Sequence, residues 1–255
     1  MKQLQYQIRT RGYDVIPRLL DKPAVERLKR CLTTAIEAYR PRAGSERSEL
    51  DRYNIHDLLT RDDAFIQLLD DERLDAALAP LIGDYWILYA FTASSLPPNG
   101  SNYARRVHVD SPRRLDGYVF NVGVMWALDD FTLDNGAPEF LPGSHHSDEM
   151  PDEDQFAAGR AQVTCKAGDL VVFNARVFHR AGINRTQEWR HALTMNACRS
   201  YMKQRIDWPR FLPASAHEHL SPRARRILGY DTRVPSNLDE LFLPEADRLY
   251  KPNQG

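Results

Sequence analysis

Three scarcities narrow the field before any motif is read. The 255-residue chain has only three cysteines, Cys31, Cys165 and Cys198, in no paired or metal-type spacing. That argues against a disulfide framework or a cysteine-built zinc site and fits a reducing compartment. Net charge is nearly absent: 34 basic residues against 35 acidic ones leave −1. No global field therefore favours nucleic acid or a membrane surface. No apolar signal core follows Met1, and no window approaches the roughly eighteen apolar residues of a spanning helix. A soluble, cytoplasmic protein without nucleic-acid or membrane partners is expected. Internal repeats and long linkers are missing too. A single domain over 1–255 is expected, since a β-sandwich of this length is routinely one unit. Nothing in the sequence specifies an oligomeric state.

What is present divides into three parts. Residues 1–84 read as largely helical. Gly12 to Ile16 is a short apolar run for a first strand. Asp21 before Lys22 and Pro23 is a helix start, and Val25, Leu28, Leu32 and Ile36 follow at helical spacing, which predicts an amphipathic helix over about 22–39. Two more helical segments are expected near 62–70 and 72–82, ending at Gly83. The pattern changes near residue 85, where Tyr85 to Thr92 is rich in aromatic and branched residues and precedes the turn Pro97-Pro98-Asn99-Gly100. Between Tyr118 and Leu128, strand parity puts Tyr118, Phe120, Val122, Val124 and Trp126 on one face. The other face carries Val119, Asn121, Gly123, Met125 and Ala127. The first set reads as packing against a second sheet or helices. The second, smaller set reads either as a cavity wall or as an ordinary strand with a bulge and a bonded Asn. The acidic stretch Ser147–Asp154 reads as an excursion. Leu170 to Phe173 is a buried strand leading towards His179, and Trp189 to Cys198 returns from a turn at 182–186, together making a β-hairpin. Residues 201–255 read as a C-terminal cover of short helical pieces.

The chemistry-bearing residues sit in the middle part. His108 and Asp110 are two apart, so on an extended strand both side chains leave the same face. With His179 they would make two imidazoles and one carboxylate, the donor set of non-haem Fe(II) oxygenases. Eleven residues beyond His179 stands Arg190, whose planar fork suits a carboxylate held by two parallel hydrogen bonds. Iron beside a carboxylate grip points to 2-oxoglutarate as co-substrate. Each part also has a plainer reading, the His as a bonded core residue and the Arg as a surface one. The tandem pair His145-His146 is a rival metal site on paper, but adjacent strand residues face opposite ways, so it reads as loop.

Together these motifs resemble the phytanoyl-CoA dioxygenase (PhyH-like) family of Fe(II)/2-oxoglutarate-dependent oxygenases. The resemblance rests on His108-Val109-Asp110, on Ala127-Leu128-Asp129-Asp130 followed by Asn135-Gly136, and on Leu141-Pro142-Gly143-Ser144-His145. It also rests on Gly168 to Phe173 leading to His179, Asn184-Arg185-Thr186 and Arg190. It covers about 85–200 and implies a mainly β fold with flanking helices around a double-stranded β-helix (jelly-roll) core. It makes His108, Asp110 and His179 the iron ligands and Arg190 the partner of the far carboxylate of 2-oxoglutarate.

One departure stands out. Where some members carry a hydroxyl two residues after the distal His, this chain has Ala181. Asn121, Thr194 or Tyr89 are the candidates to replace it. The implied reaction consumes O2 and 2-oxoglutarate, oxidises an unactivated C–H bond of a small molecule and releases succinate and CO2. Hydroxylation is the default outcome, and a biosynthetic intermediate or amino-acid derivative the expected substrate. Arg105, Arg106 and Arg114 flank the metal motif and are the candidate substrate contacts, against the plainer reading of a solvated rim. Two alternatives stand beside this reading. A non-catalytic jelly-roll module would keep the metal face, and an iron halogenase would need chloride where Asp110 stands.

Overall fold

Alternation along residues 121–127 decides what each side of the main sheet faces. The computed structural model describes residues 2–50 and 52–251. Eight strands are present among them: β1 (Tyr13–Ile16), β2 (Ile87–Ala93), β3 (Asn121–Ala127), β4 (Glu139–Phe140), β5 (Ala161–Gln162), β6 (Leu170–Asn174), β7 (His179–Arg180) and β8 (Ala192–Cys198). Five form a large antiparallel sheet in the order β1-β6-β3-β8-β2, and three form a small one in the order β5-β4-β7. The two sheets make a double-stranded β-helix, a jelly roll flanked by helices. Helices contribute more residues than strands do, but the functional side chains identified below come mainly from the sheets and their edges.

On the outer side of the large sheet, Val122, Val124, Trp126, Val172, Leu193 and Met195 join one apolar cluster with the helices. Helix Lys22–Ala38 supplies Leu28 and Leu32 to it, and helix Arg73–Ile82 supplies Leu74 and Leu78. The C-terminal segments close the same face with Trp208 and Ile227. The expected amphipathic helix is thus present, capped as its sequence indicates by the Asp21 side chain accepting from the Ala24 N–H. The expected 62–70 helix is shorter, Asp63–Gln67 followed by a 3-10 turn over Leu68–Asp70. Among the described residues, no helix is long and apolar enough to cross a membrane.

On the inner side, Met125, Ala127, Val171 and Phe173 meet Phe131, Phe140 and Val163 in a second cluster between the sheets. The contact is close enough to specify one residue. A Cβ on Gly123 would lie 2.0 Å from Cζ of Phe173, and the Phe173 ring in turn packs 5.0 Å from the His179 ring. Gly123→Ala is therefore expected to force the ring out of place and to cost about 1–3 kcal/mol of stability, as overpacking does. Its urea unfolding midpoint should drop accordingly, and an unchanged midpoint would show that the Phe173 ring has room to turn.

The expected hairpin over 170–198 is not formed. β7 belongs to the small sheet and β8 to the large one, so the chain between them crosses from one layer to the other. Asn184 holds that crossing: fully buried, it donates to the Pro97 and Glu188 carbonyls at 3.0 and 2.7 Å. Arg190 consequently pairs with Leu96, not with the strand of His179. The acidic stretch contributes a capped helix at its far end, Glu153–Gly159, which buries Phe156.

Candidate active site

His108 lies outside any regular strand and is tied to β7 by a single bridge, its N–H and C=O exchanging 3.0 Å bonds with those of His179. The next anchor is the Asp110 N–H, which donates to the Ala175 carbonyl at 2.9 Å. This extended run sends the His108 and Asp110 side chains to one side, towards His179. The two Nε2 atoms stand 3.6 Å (His108) and 3.8 Å (His179) from Oδ1 of Asp110. One donor atom from each of the three lies within 4.8 Å of the others.

The protons are placed by what surrounds each ring. His108 Nδ1 lies 2.7 Å from the Arg106 carbonyl, and His179 Nδ1 lies 3.0 Å from the Val177 carbonyl. A carbonyl only accepts, so each Nδ1 carries the hydrogen and each Nε2 turns a lone pair inward. Burial pushes the His179 pKa down to about 4, the neighbouring His108 adds to the fall, and Asp110 opposes it. Asp110 is oriented in the same way: Asn196 Nδ2 donates to its Oδ2 at 2.9 Å, leaving Oδ1 to face the imidazoles. Two lone pairs and one anionic oxygen converging on a point, each held by a second residue, fit a divalent transition metal.

These three groups lie in a cavity of about 330 Å³ between the sheets. Arg190 lines the same cavity, 1% exposed, and its charge is poorly matched. The guanidinium sits 4.7 Å over the Phe131 ring, donates one 3.3 Å bond to the Ser94 carbonyl, and leaves Nε without a partner. Burial lowers its pKa to about 10, with Asp129 opposing, so it remains a cation at neutral pH. Thr194 lines the same cavity, and its buried hydroxyl also has no hydrogen-bond partner among the described residues. A buried cation and an unbonded hydroxyl lining one cavity fit a carboxylate brought by a ligand.

Of the sequence candidates, His108, Asp110, His179, Arg190, Thr194 and Arg106 all line this cavity. Four others do not. Tyr89 is the extra residue of a bulge in β2, where Leu88 pairs with Ala197 and Ala90 already with Asn196, and it is Ala90, Thr92 and Ser94 that face inward. Asn121 sits at the far end of β3 and lines a neighbouring cavity of about 380 Å³. Arg105 is drawn away by Glu139 and the Ala181 carbonyl, at 3.4 and 3.0 Å. Arg114 is paired with Asp116 and Asp148 and lines that second cavity. His145 and His146 occupy a 3-10 turn, and both reach the Arg9 carbonyl. Sequence reasoning missed Asn196, although it lies two residues beyond Thr194 and so on the same strand face. It also missed Arg47 and Arg205, which line the cavity from distant segments and carry no local signal.

Comparison with known proteins places this geometry among relatives. The family model for phytanoyl-CoA dioxygenase (PhyH) matches residues 8–192. An uncharacterized protein of Mycobacterium tuberculosis is 31% identical over 264 residues, covering 100% of this chain and 96% of its own length. A dioxygenase of Talaromyces verruculosus is 26% identical over 173 residues, covering 66% of this chain and 56% of that one. Among solved structures, HygX from Streptomyces hygroscopicus, with nickel and 2-oxoglutarate bound, aligns with a TM-score of 0.62 at 16% identity. That alignment covers 80% of this chain and 89% of HygX. The epimerase SnoN, in complex with Fe3+, alpha ketoglutarate and nogalamycin RO, aligns with a TM-score of 0.60 at 21% identity, over 77% and 82% of the two chains. At such identities these two likenesses speak for the fold.

Proposed function

The chain belongs to the phytanoyl-CoA dioxygenase family and is an Fe(II)/2-oxoglutarate-dependent dioxygenase; from that premise we propose that it hydroxylates an unactivated C–H bond of a small molecule in the cavity between its sheets. His108, Asp110 and His179 are the residues that would hold the metal, and Arg190 with Thr194 would hold the far carboxylate of 2-oxoglutarate. The observation that carries the co-substrate assignment is the Arg190 guanidinium, fully buried and within 4.0 Å of no carboxylate among the described residues. A charge taken out of water without a partner is strongly disfavoured, and a dicarboxylate entering the cavity removes that imbalance.

With Fe(II) and 2-oxoglutarate bound, the site has the oxidising power to act on C–H bonds, with O2 consumed and succinate and CO2 released. The chain's own residues position and protect. The Arg106 and Val177 carbonyls keep both Nε2 lone pairs turned inward, and the Asn196 amide fixes the Asp110 carboxylate. Met125 and Phe173 give the cavity an apolar wall, which limits water access and orients a substrate by shape. Arg180 also lines it but is paired with Glu139 at 2.6 Å and Glu153 at 2.5 Å, so its role is to brace the small sheet.

Succinate release from the purified protein is expected to require both Fe(II) and 2-oxoglutarate. It should rise when a metabolite mixture containing the substrate is added, and the product should gain one oxygen atom from labelled O2. Loss of two hydrogens without oxygen gain would replace hydroxylation by desaturation. Succinate formation independent of the metal would overturn the assignment of these residues.

A further inference from the structure

The cavity mouth is more basic than the proposed chemistry requires. Among the described residues, Asp110 is the sole carboxylate of the lining, whereas five arginines, Arg47, Arg106, Arg180, Arg190 and Arg205, line the same space. On the reading given above, on which this inference rests, the inner charges cancel. Divalent iron, Asp110, the Arg190 cation and a doubly charged 2-oxoglutarate sum to zero. Arg180 is matched by Glu139 and Glu153. What is left over is the cationic charge of Arg106 and Arg205.

Arg106 and Arg205 are exposed, and their guanidiniums make no hydrogen bond or ion pair among the described residues. Arg47 lies 4.4 Å over the Tyr103 ring and donates to its hydroxyl at 3.2 Å, which steadies it at the rim. The three come from segments far apart in sequence: one before β2, one beside His108, and one after β8, where the Arg205 N–H is fixed to the Tyr89 carbonyl at 3.1 Å. Arg106 and Arg205, brought to one opening with no acidic partner for either among the described residues, repel one another. Low-dielectric walls also focus their field outward along the entry path. An arriving oxyanion removes the repulsion and finds planar forks suited to two parallel bonds.

We propose that the substrate carries an oxyanion, a carboxylate or a phosphate, and that Arg106 and Arg205 hold it at the cavity mouth. The carbon to be oxidised then points inward towards His108, Asp110 and His179, and the charged end sets the register. The candidate substrate arginines on either side, Arg105 and Arg114, cannot share this task, because each is committed to an acidic partner.

The test uses the full chain loaded with Co(II), which is paramagnetic and does not support turnover, together with saturating 2-oxoglutarate so that Arg190 is occupied. Phenyl phosphate, benzoate and the neutral benzyl alcohol are titrated, and binding near the metal is read from the nuclear relaxation enhancement of each probe. At least one anionic probe is expected to bind saturably, and the tighter of the two identifies the anion. Arg106→Ala and Arg205→Ala should each weaken it by about tenfold, and the double variant by about a hundredfold. Affinity for 2-oxoglutarate should stay within about twofold in all of them, as expected for rim residues separate from Arg190. Arg106→Ala keeps the backbone carbonyl that orients His108, and Arg205→Gln serves as a second variant that preserves the side-chain stem. Absence of anion binding, or equal binding in the variants, overturns the inference while normal 2-oxoglutarate binding leaves the functional reading intact. Failure of 2-oxoglutarate itself to bind the Co(II) protein would sink that reading and this inference with it.

Discussion

Arg190→Ala is expected to weaken 2-oxoglutarate binding by roughly 30- to 1000-fold while metal affinity stays nearly unchanged. Truncating one partner of a buried charge-assisted contact costs about 2–4 kcal/mol, which converts to that range. Arg190→Lys should fall in between, since an ammonium lacks the fork. Arg190→Met adds a second, opposite expectation. Among protein groups the guanidinium is 1% exposed, with one 3.3 Å bond to a carbonyl and Nε unbonded. An apolar side chain of similar volume, still packed on Phe131, should therefore leave stability unchanged or raise it by about 1–4 kcal/mol. The measurements are titration of 2-oxoglutarate into the anaerobic Fe(II) protein, following the metal-to-ligand charge-transfer band, and urea unfolding without ligand. Unchanged 2-oxoglutarate affinity in a folded Arg190→Ala protein would mean that another residue anchors the co-substrate. A marked loss of stability in Arg190→Met would mean that Arg190 is structural.

Asp110→Ala is expected to abolish turnover and to lower Fe(II) affinity by more than about a hundredfold. Loss of a residue that merely orients a ligand costs about 10- to 100-fold, and Asp110 is proposed as a ligand itself. The physical reason is charge. His108 and His179 present neutral Nε2 lone pairs, and burial disfavours a positive charge at His179, so two imidazoles alone offer a dication nothing to balance it. Asn196→Ala provides the graded comparison. It frees Asp110 Oδ2 from its 2.9 Å bond without removing the carboxylate, and should cost about 10- to 100-fold in metal affinity. Calorimetric titration of Fe(II) under anaerobic conditions ranks the two. Equal metal affinity in Asp110→Ala and the parent protein would remove Asp110 from the ligand set.

Both predictions concern residues that the sequence already singled out, and the reason lies in local geometry. The two-residue spacing of His108 and Asp110 needs only an extended backbone to put both side chains on one face. That held even though the segment forms a lone bridge and not a strand. Parity on β3 worked equally well: Val122, Val124 and Trp126 pack on the helices while Met125 lines the cavity. The readings that failed depended on how strands are shared between layers. Tyr89 was misplaced by a bulge, which shifts parity by one residue and leaves no trace in the hydrophobic pattern. The hairpin over 170–198 failed because adjacent strands in sequence joined different sheets.

The sequence by itself determined the donor types, their order along the chain and the faces on which they stand, because periodicity and short spacing act within a few residues. It also determined the helical layer, through apolar residues at helical spacing and the cap at Asp21. Only the tertiary structure decided which cations reach the site. Arg105 and Arg106 are adjacent in sequence, yet one is drawn to Glu139 and the other opens onto the cavity. Arg47 and Arg205 arrive there from segments about 60 and 100 residues away from Arg106. A side chain's charge is written in the sequence, but whether that charge is matched depends on neighbours brought in by the crossing of the two sheets. That is the physical reason why the candidate metal face was legible early and the basic mouth was not.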